Sequence, residues 1–180
     1  ALGASWAGVR AMTTMKHVGM NVAAEVLHFA AYTGVKAGLV VVIGSDPGAT
    51  SSTSEQDDRW YSLHTHLPIL EPSTIQEAKD FTVRAFELSE HYNLPVILNA
   101  PSKLCHNIGS LLLGTLPDSF TGKKGGAFER NPLRYINLFG GSVANHRRAI
   151  ENKARMAGEI SSLGINIVHP GADATGFISS

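Results

Sequence analysis

A single cysteine, Cys105, occurs in 180 residues. One thiol excludes an internal disulfide, a four-cysteine zinc site and any iron–sulfur cluster held by this chain alone. It also fits a reducing compartment, so the expected location is the cytoplasm. A surplus of either charge is missing too, because 15 Lys+Arg offset 15 Asp+Glu. With no cationic excess to displace counterions, general nucleic-acid binding and attachment to an anionic membrane are not expected. Long apolar runs are absent as well. Stretches such as Leu39-Val40-Val41-Val42-Ile43 fall far short of the ~20 residues that cross a bilayer. No basic segment leads into an apolar run at Ala1-Leu2-Gly3-Ala4-Ser5-Trp6, so no signal-peptide pattern is present. The final residues, Gly176-Phe177-Ile178-Ser179-Ser180, carry neither a helix cap nor a polar tail. The chain therefore reads as a piece of a longer protein.

What is present suits a folded domain. Hydrophobic residues make up 43% and charged residues only 17%, enough apolar material for a core and too little charge for disorder. Leu2, Trp6, Val9 and Met12 recur at helical spacing, which predicts a helix over 1–13. After a break at Met15-Lys16-His17-Val18-Gly19, a second helix is expected over 21–32, with Gly34 as its stop. Residues 39–43 form a β-branched run without alternation, the pattern of a strand buried on both faces. The run 44–54 reads as a long loop, and loops of that length inside a compact domain are usually functional or disordered. A short helix over 57–63 and a strand over 68–70 follow. Ser73 then caps a helix over 74–91, with Gln76 in the capping-box position and Ile75, Ala78, Phe81, Ala85 and Leu88 facing inward. A buried strand over 95–99 completes a strand–helix–strand unit. The predicted class is α/β, an open parallel sheet with helices on both faces. Beyond it, 109–126 has the composition of a linker, 143–163 reads as a polar helix that is wet or faces another subunit, and 165–168 could be a last strand.

Ligands of open parallel sheets bind beyond the carboxyl ends of the strands. Three segments qualify: the loop after Ile43, the loop after Asn99, and Lys16-His17-Val18-Gly19. The first is richest. Its Asp46-Pro47-Gly48 turn doubles the chain back, and Ser51, Ser52, Thr53 and Ser54 offer hydroxyls and amides to an anion. The same residues also fit a surface loop in which Ser54 caps the following helix with Asp57 three positions on. Other groupings carry less. His64 and His66, two apart, would not share a helix face as metal ligands. Cys105-His106 shows no positioned base for a nucleophile, and the 122–126 lysines lack phosphate-loop spacing.

Several motifs in order resemble one family. They are Met15-Lys16-His17-Val18-Gly19-Met20-Asn21, Tyr32-Thr33-Gly34-Val35-Lys36, Asp46-Pro47-Gly48 with Ser51-Ser52 and Glu55-Gln56-Asp57, Leu70-Glu71-Pro72-Ser73, and Leu94-Pro95-Val96. Over roughly residues 1–110 the chain is similar to the large (alpha) subunit of indolepyruvate ferredoxin oxidoreductase, a thiamine-diphosphate 2-oxoacid oxidoreductase. The resemblance implies a pyrimidine-binding domain over 1–115, a linker excursion and polar helix over 116–170, and the start of the next domain over 171–180. It implies oxidative decarboxylation of an aryl 2-oxoacid to its acyl-CoA by the parent enzyme. Thiamine diphosphate, Mg and 4Fe-4S clusters would serve that enzyme, with ferredoxin, coenzyme A and a beta subunit as partners. The glutamate that activates the cofactor is expected upstream of Ala1, so no catalytic residue is assigned within the chain. The chain by itself would be inactive and would bind no cofactor tightly. By the same resemblance, Lys16, His17, Gly19 and Asn21 lie on the cofactor side, and Ser51, Ser52, Glu55, Gln56 and Arg59 on the substrate side. Lys16 and His17 could instead terminate the first helix, and Asn21 could be an N-cap. Two other readings stay open: a non-catalytic assembly module, and a pyruvate or 2-oxoglutarate oxidoreductase of the same superfamily.

Overall fold

The computed structural model describes residues 1–116, 126, 128–166 and 169–171. Four parallel strands build one sheet: β1 Ala11–Lys16, β2 Leu39–Ser45, β3 Ile69–Leu70 and β4 Val96–Pro101, in the order β1-β2-β4-β3. β2 and β4 are central. Val40, Val41, Ile43, Val96, Ile97 and Leu98 are almost wholly buried. Each such side chain contributes about 1.5–3 kcal/mol by leaving water, so the unbroken apolar runs of the sequence become the middle of the core.

The helices α1 Leu2–Trp6, α2 His17–Thr33, α3 Trp60–Thr65, α4 Ile75–Tyr92, α5 Ser102–Cys105, α6 Pro132–Tyr135 and α7 Gly140–Ser162 surround the sheet. From β1 to β2 the chain steps one way across the sheet, through α2. From β3 to β4 it steps back, through α4. Right-handed crossovers then put α2 and α4 on opposite faces. Met20, Leu27 and Ala31 of α2, and Ala85 and Leu88 of α4, cover those faces at helical spacing. Thr74 caps α4, its hydroxyl accepting from the Glu77 amide at 3.1 Å, while the Glu77 carboxylate accepts from Ser73. The box thus starts one residue later than expected and uses Glu77 in place of Gln76.

The first thirteen residues differ more. The predicted helix stops at Trp6, because Gly8 turns the chain with φ 82 and β1 follows. Val9 and Met12 share the spacing by chance. In β1, Met12, Thr14 and Lys16 alternate outward as on an edge strand. Lys16 and His17 therefore do not end a helix: Lys16 is the extended N-cap of α2, and Asn21 lies within that helix. Ser54 caps nothing. Its hydroxyl accepts from the Gln56 side-chain Nε2 at 3.1 Å, and α3 begins later with no side-chain cap. Residues 165 and 166 are not strand, while 167, 168 and 172–180 lie outside the described residues, as do most of 117–127.

α7 buries Asn145, Ala149 and Met156 and leaves most of its surface exposed. It binds the C-terminal ends of two helices at once. Arg148 donates to the Tyr32 carbonyl at the end of α2, and Asn152 lies 3.5 Å from the Tyr92 carbonyl at the end of α4. Both helices run antiparallel to the strands, so α7 spans the amino edge of the sheet. The carboxyl edge is left to the loops.

Candidate functional site at the carboxyl edge of the sheet

Each strand carries a polar residue in, or just past, its carboxyl end. β1 leads into His17, β2 closes on Ser45 and Asp46, β4 carries Asn99, and β3 leads into Glu71. His17, Ser45, Asp46 and Asn99 are nearly inaccessible, as is Asp58 in the loop above them. Both ring nitrogens of His17, both carboxylate oxygens of Asp58 and the Asn99 Oδ1 are buried with no hydrogen-bond partner within 3.5 Å among the described residues. Asn99 uses its amide on Glu71, at 2.6 Å. Burial pushes the Asp58 acid up, against the pull of the Ser45 hydroxyl and of His17. Burial and the Asp58 charge also push the Tyr61 phenol up. Buried polar groups are normally satisfied, so this row marks a place where hydrogen-bonding capacity is held in reserve.

Above the row, the loop after β2 is folded around one carboxylate oxygen. Asp46 Oδ2 accepts from the Ser51 amide at 2.8 Å, the Ser52 hydroxyl at 2.6 Å and the Ser51 hydroxyl at 3.3 Å. Lys16 stands 3.9 Å away and donates to the Ser51 carbonyl at 3.0 Å. The Ser52 hydroxyl, the Ser51 amide and the Lys16 charge hold the Asp46 acid down at about 2. The turn that makes this possible contains Gly48, at φ 79.

The residues predicted from sequence therefore meet in pairs. Lys16 touches Ser51, and the Asn21 Nδ2 donates to the Gln56 side-chain Oε1 at 2.7 Å while its Oδ1 accepts from the Tyr61 hydroxyl. His17 lies beneath them. Gly19 sits so close to β1 that an added Cβ would come 3.2 Å from the Met15 Cβ. Ser52 is turned onto Asp46. Glu55 is exposed, and Arg59 is folded back on Asp57 at 2.8 Å, which lowers the Asp57 acid and raises the guanidinium. Those two are not drawn into the cleft wall.

An open cleft of about 500 Å³ lies between this loop and α5, with Asp46, Thr50 and Ser51 on one wall and Ser102, Lys103 and His106 on the other. Sequence reasoning missed Ser45, Asp58, Glu71, Asn99, Ser102 and Lys103 as site residues and set His106 aside. The one available signal was position, since Asn99 and 102–106 follow a predicted strand end. Cys105 is exposed, with its sulfur 3.5 Å from the Ala100 carbonyl. Among the described residues, no three His, Cys, Asp or Glu side chains group as a metal set.

A parallel sheet whose carboxyl edge carries a cleft, a hydroxyl-rich loop and unfilled buried polar groups defines an α/β protein of the cofactor-binding class. Residues 1–161 match the family model described as "Pyruvate flavodoxin/ferredoxin oxidoreductase, thiamine diP-bdg", and the chain belongs to that family. Indolepyruvate oxidoreductase subunit IorA of Pyrococcus abyssi is 43% identical over 176 residues, covering 97% of this chain and 27% of that protein. The IorA subunit of Archaeoglobus fulgidus is 51% identical over 118 residues, 66% of this chain and 19% of its own length. The 2-oxoglutarate synthase subunit KorA of Methanothermobacter thermautotrophicus is 36% identical over 123 residues, 65% of this chain and 32% of its own. The chain thus spans about a quarter of the first curated relatives it matches. In shape it is similar to a 2-oxoglutarate:ferredoxin oxidoreductase from Magnetococcus marinus, solved with 2-oxoglutarate, coenzyme A and succinyl-CoA bound. The TM-score is 0.59 at 18% identity, over 87% of this chain and 34% of that one, a likeness of fold. Among the described residues, no helix is long and apolar enough to cross a membrane.

Proposed function

We propose that this chain forms the pyrimidine-side wall of the active site in a thiamine-diphosphate-dependent 2-oxoacid oxidoreductase, with an aryl 2-oxoacid such as indolepyruvate as substrate. The observation that carries the reading is the cleft at the carboxyl edge, bounded by the Asp46-ordered loop and by Lys103 and His106. Higher identity over a longer stretch to indolepyruvate subunits than to 2-oxoglutarate subunits favours the aryl substrate over the alternative. The residues fit an aminopyrimidine. That ring carries both donors and acceptors, and the strand-end row offers His17 and Asn99 atoms with no other partner among the described residues. Lys16, His17, Gly19 and Asn21 would hold that side. When bound, the cofactor supplies a nucleophilic ring carbon that opens the bond beside a 2-oxoacid carbonyl.

The protein's part is to seat the substrate. The Ser51 and Ser52 hydroxyls donate their hydrogen bonds to Asp46, and Ser51 Oγ also accepts from Lys16, so neither hydroxyl is free to donate to a carboxylate. In this reading the substrate carboxylate is met by Lys103 on the cleft wall, and the serines act by fixing the loop. Mg, 4Fe-4S clusters, a beta subunit, ferredoxin and coenzyme A belong to the complete enzyme in this proposal, which works in the cytoplasm. By itself the chain is proposed to hold the cofactor weakly.

The test is the Ser51→Ala/Ser52→Ala double variant in the full-length enzyme. Two charge-assisted hydrogen bonds are lost, each worth about 1.5–3 kcal/mol. A fall in kcat/KM of ~10-fold or more is expected, measured at a temperature where the less stable variant is still folded. Normal kinetics with indolepyruvate would refute the assignment.

A further inference from the structure

At the amino edge of the sheet, a second open cleft of about 380 Å³ lies where α2, α4 and α7 converge. β2 alone runs for 7 residues, which at ~3.3 Å per residue puts this cleft about 20 Å from the cofactor edge. Three guanidinium groups line it, from Arg134, Arg148 and Arg155, against one carboxylate, that of Glu151.

The arginines are brought together by the end of α2. Arg134 donates from Nε to the Thr33 carbonyl at 2.9 Å and from Nη2 to the Val35 carbonyl at 3.0 Å. Arg148 donates to the carbonyl of Tyr32. Residues 32, 33 and 35 are near neighbours, so two like charges stand side by side in a half-buried place. Burial and the Arg134 charge lower the Arg148 pKa. Arg155 comes from the other side, its guanidinium 5.8 Å from the Tyr92 ring centroid and Nη1 3.4 Å from the Asn152 Oδ1. None of the ion pairs among the described residues involves these three arginines. Glu159, one helical turn beyond Arg155, instead accepts from the Tyr92 hydroxyl and lies 3.6 Å from His91.

Helix-end carbonyls explain why Arg134 and Arg148 are tolerated there. They do not explain Arg155, which binds no backbone carbonyl among the described residues, nor the convergence of three forks on one cleft. A guanidinium has five N–H donors, and among the described residues each of these three keeps donors unused. A phosphate accepts such forks in pairs and removes the repulsion between them.

We propose that this cleft is a binding site for a small phosphorylated molecule, with Arg134, Arg148 and Arg155 gripping its phosphate. The proposal does not depend on the activity assigned to the carboxyl edge. A bound phosphate would also brace α7 against α2 and α4.

Inorganic phosphate is the probe, titrated calorimetrically into the full-length protein at constant ionic strength, with chloride and succinate as comparisons. Saturable phosphate binding is expected where chloride and succinate give none. Arg155→Gln touches no backbone carbonyl and should weaken phosphate ~10-fold or more. Glu151→Gln removes the opposing carboxylate from an exposed position and should strengthen it several-fold. If Arg155→Gln does not fold, the Glu151→Gln shift decides. Equal response to phosphate and chloride, succinate binding as well as phosphate, or variants that leave the phosphate midpoint unchanged would overturn the proposal.

Discussion

Replacing Gly34 with alanine tests the junction on which the amino edge depends. Gly34 ends α2 at φ 74 and ψ −177, a conformation open almost only to glycine. Its amide donates to the Ala30 carbonyl at 2.8 Å, and its carbonyl accepts from the Trp6 indole at 2.9 Å, so the residue cannot simply swing aside. An added Cβ would meet the Asn93 carbonyl oxygen at 2.7 Å and an Arg134 nitrogen at 3.0 Å. The conformation alone costs about 1–3 kcal/mol. The displaced Asn93 carbonyl is also the acceptor for the Val35 amide at 2.9 Å, and losing that bond adds about 1 kcal/mol. The expected loss is therefore about 2–4 kcal/mol, or about 5–15 °C in Tm for a chain of this size. Gly48→Ala is the control. Gly48 has φ 79 but nothing within 4 Å of an added Cβ, so only the backbone term of about 1 kcal/mol applies, and Tm should fall by about 2–4 °C. Differential scanning calorimetry of the two variants reads the difference. Equal losses would refute the reasoning, because the contacts with Asn93 and Arg134 would then count for nothing.

Asp46 should keep its loop ordered in acid. Its depressed pKa stabilises the folded loop above the ordinary value near ~3.9, and that stabilisation should be lost as pH falls through about 2. The Ser51 amide proton, followed by NMR, should shift with a midpoint near the lower value, and a midpoint near 4 would contradict the geometry. Tyr92 should act at the other end of the scale. Burial and its hydrogen bond to Glu159 push the phenol up to about 12, so the stability it adds is complete below about 10 and disappears as pH rises through the folded value. Alkaline loosening of α7 over that window should lose this component in Tyr92→Phe, and an unchanged alkaline transition would count against it. Association is expected as well, because Val22, Val26, Trp60 and Leu63 are more than half exposed on α2 and α3, an apolar grouping uncommon on a monomer. Light scattering should show concentration-dependent growth in mass, and a strictly monomeric species at high concentration would refute it.

Where sequence and structure agree, the signal was local. The β-branched run of β2, the periodic face of α4 and the glycine stop of α2 are each set by neighbours within a few residues. β1 was hidden because Leu2, Trp6, Val9 and Met12 imitate one helix face, although Gly8 breaks it and Thr13-Thr14 favour a strand. The loop after β2 was legible as a suspect, but its organiser was not. Asp46 stands in a turn motif that any surface loop could carry, and only the fold shows that the serines point back to it. Asp58 escaped notice because it reads as one more carboxylate at the start of a short helix, and Asn99 because it reads as the last residue of a buried strand. Their burial comes from loops closing over the sheet, a long-range event with no local pattern.

β1 has β2 on one side and no strand on the other among the described residues. Its outer backbone groups form an open template for strand pairing, and over Ala11–Lys16 only the last residue is charged. Lysine at the end of such a strand discourages stray pairing but cannot block it along its length. Sheet-to-sheet aggregation of the chain is therefore expected to start at this edge, and a second charge placed on its outward face, as in Met12→Lys, should slow it.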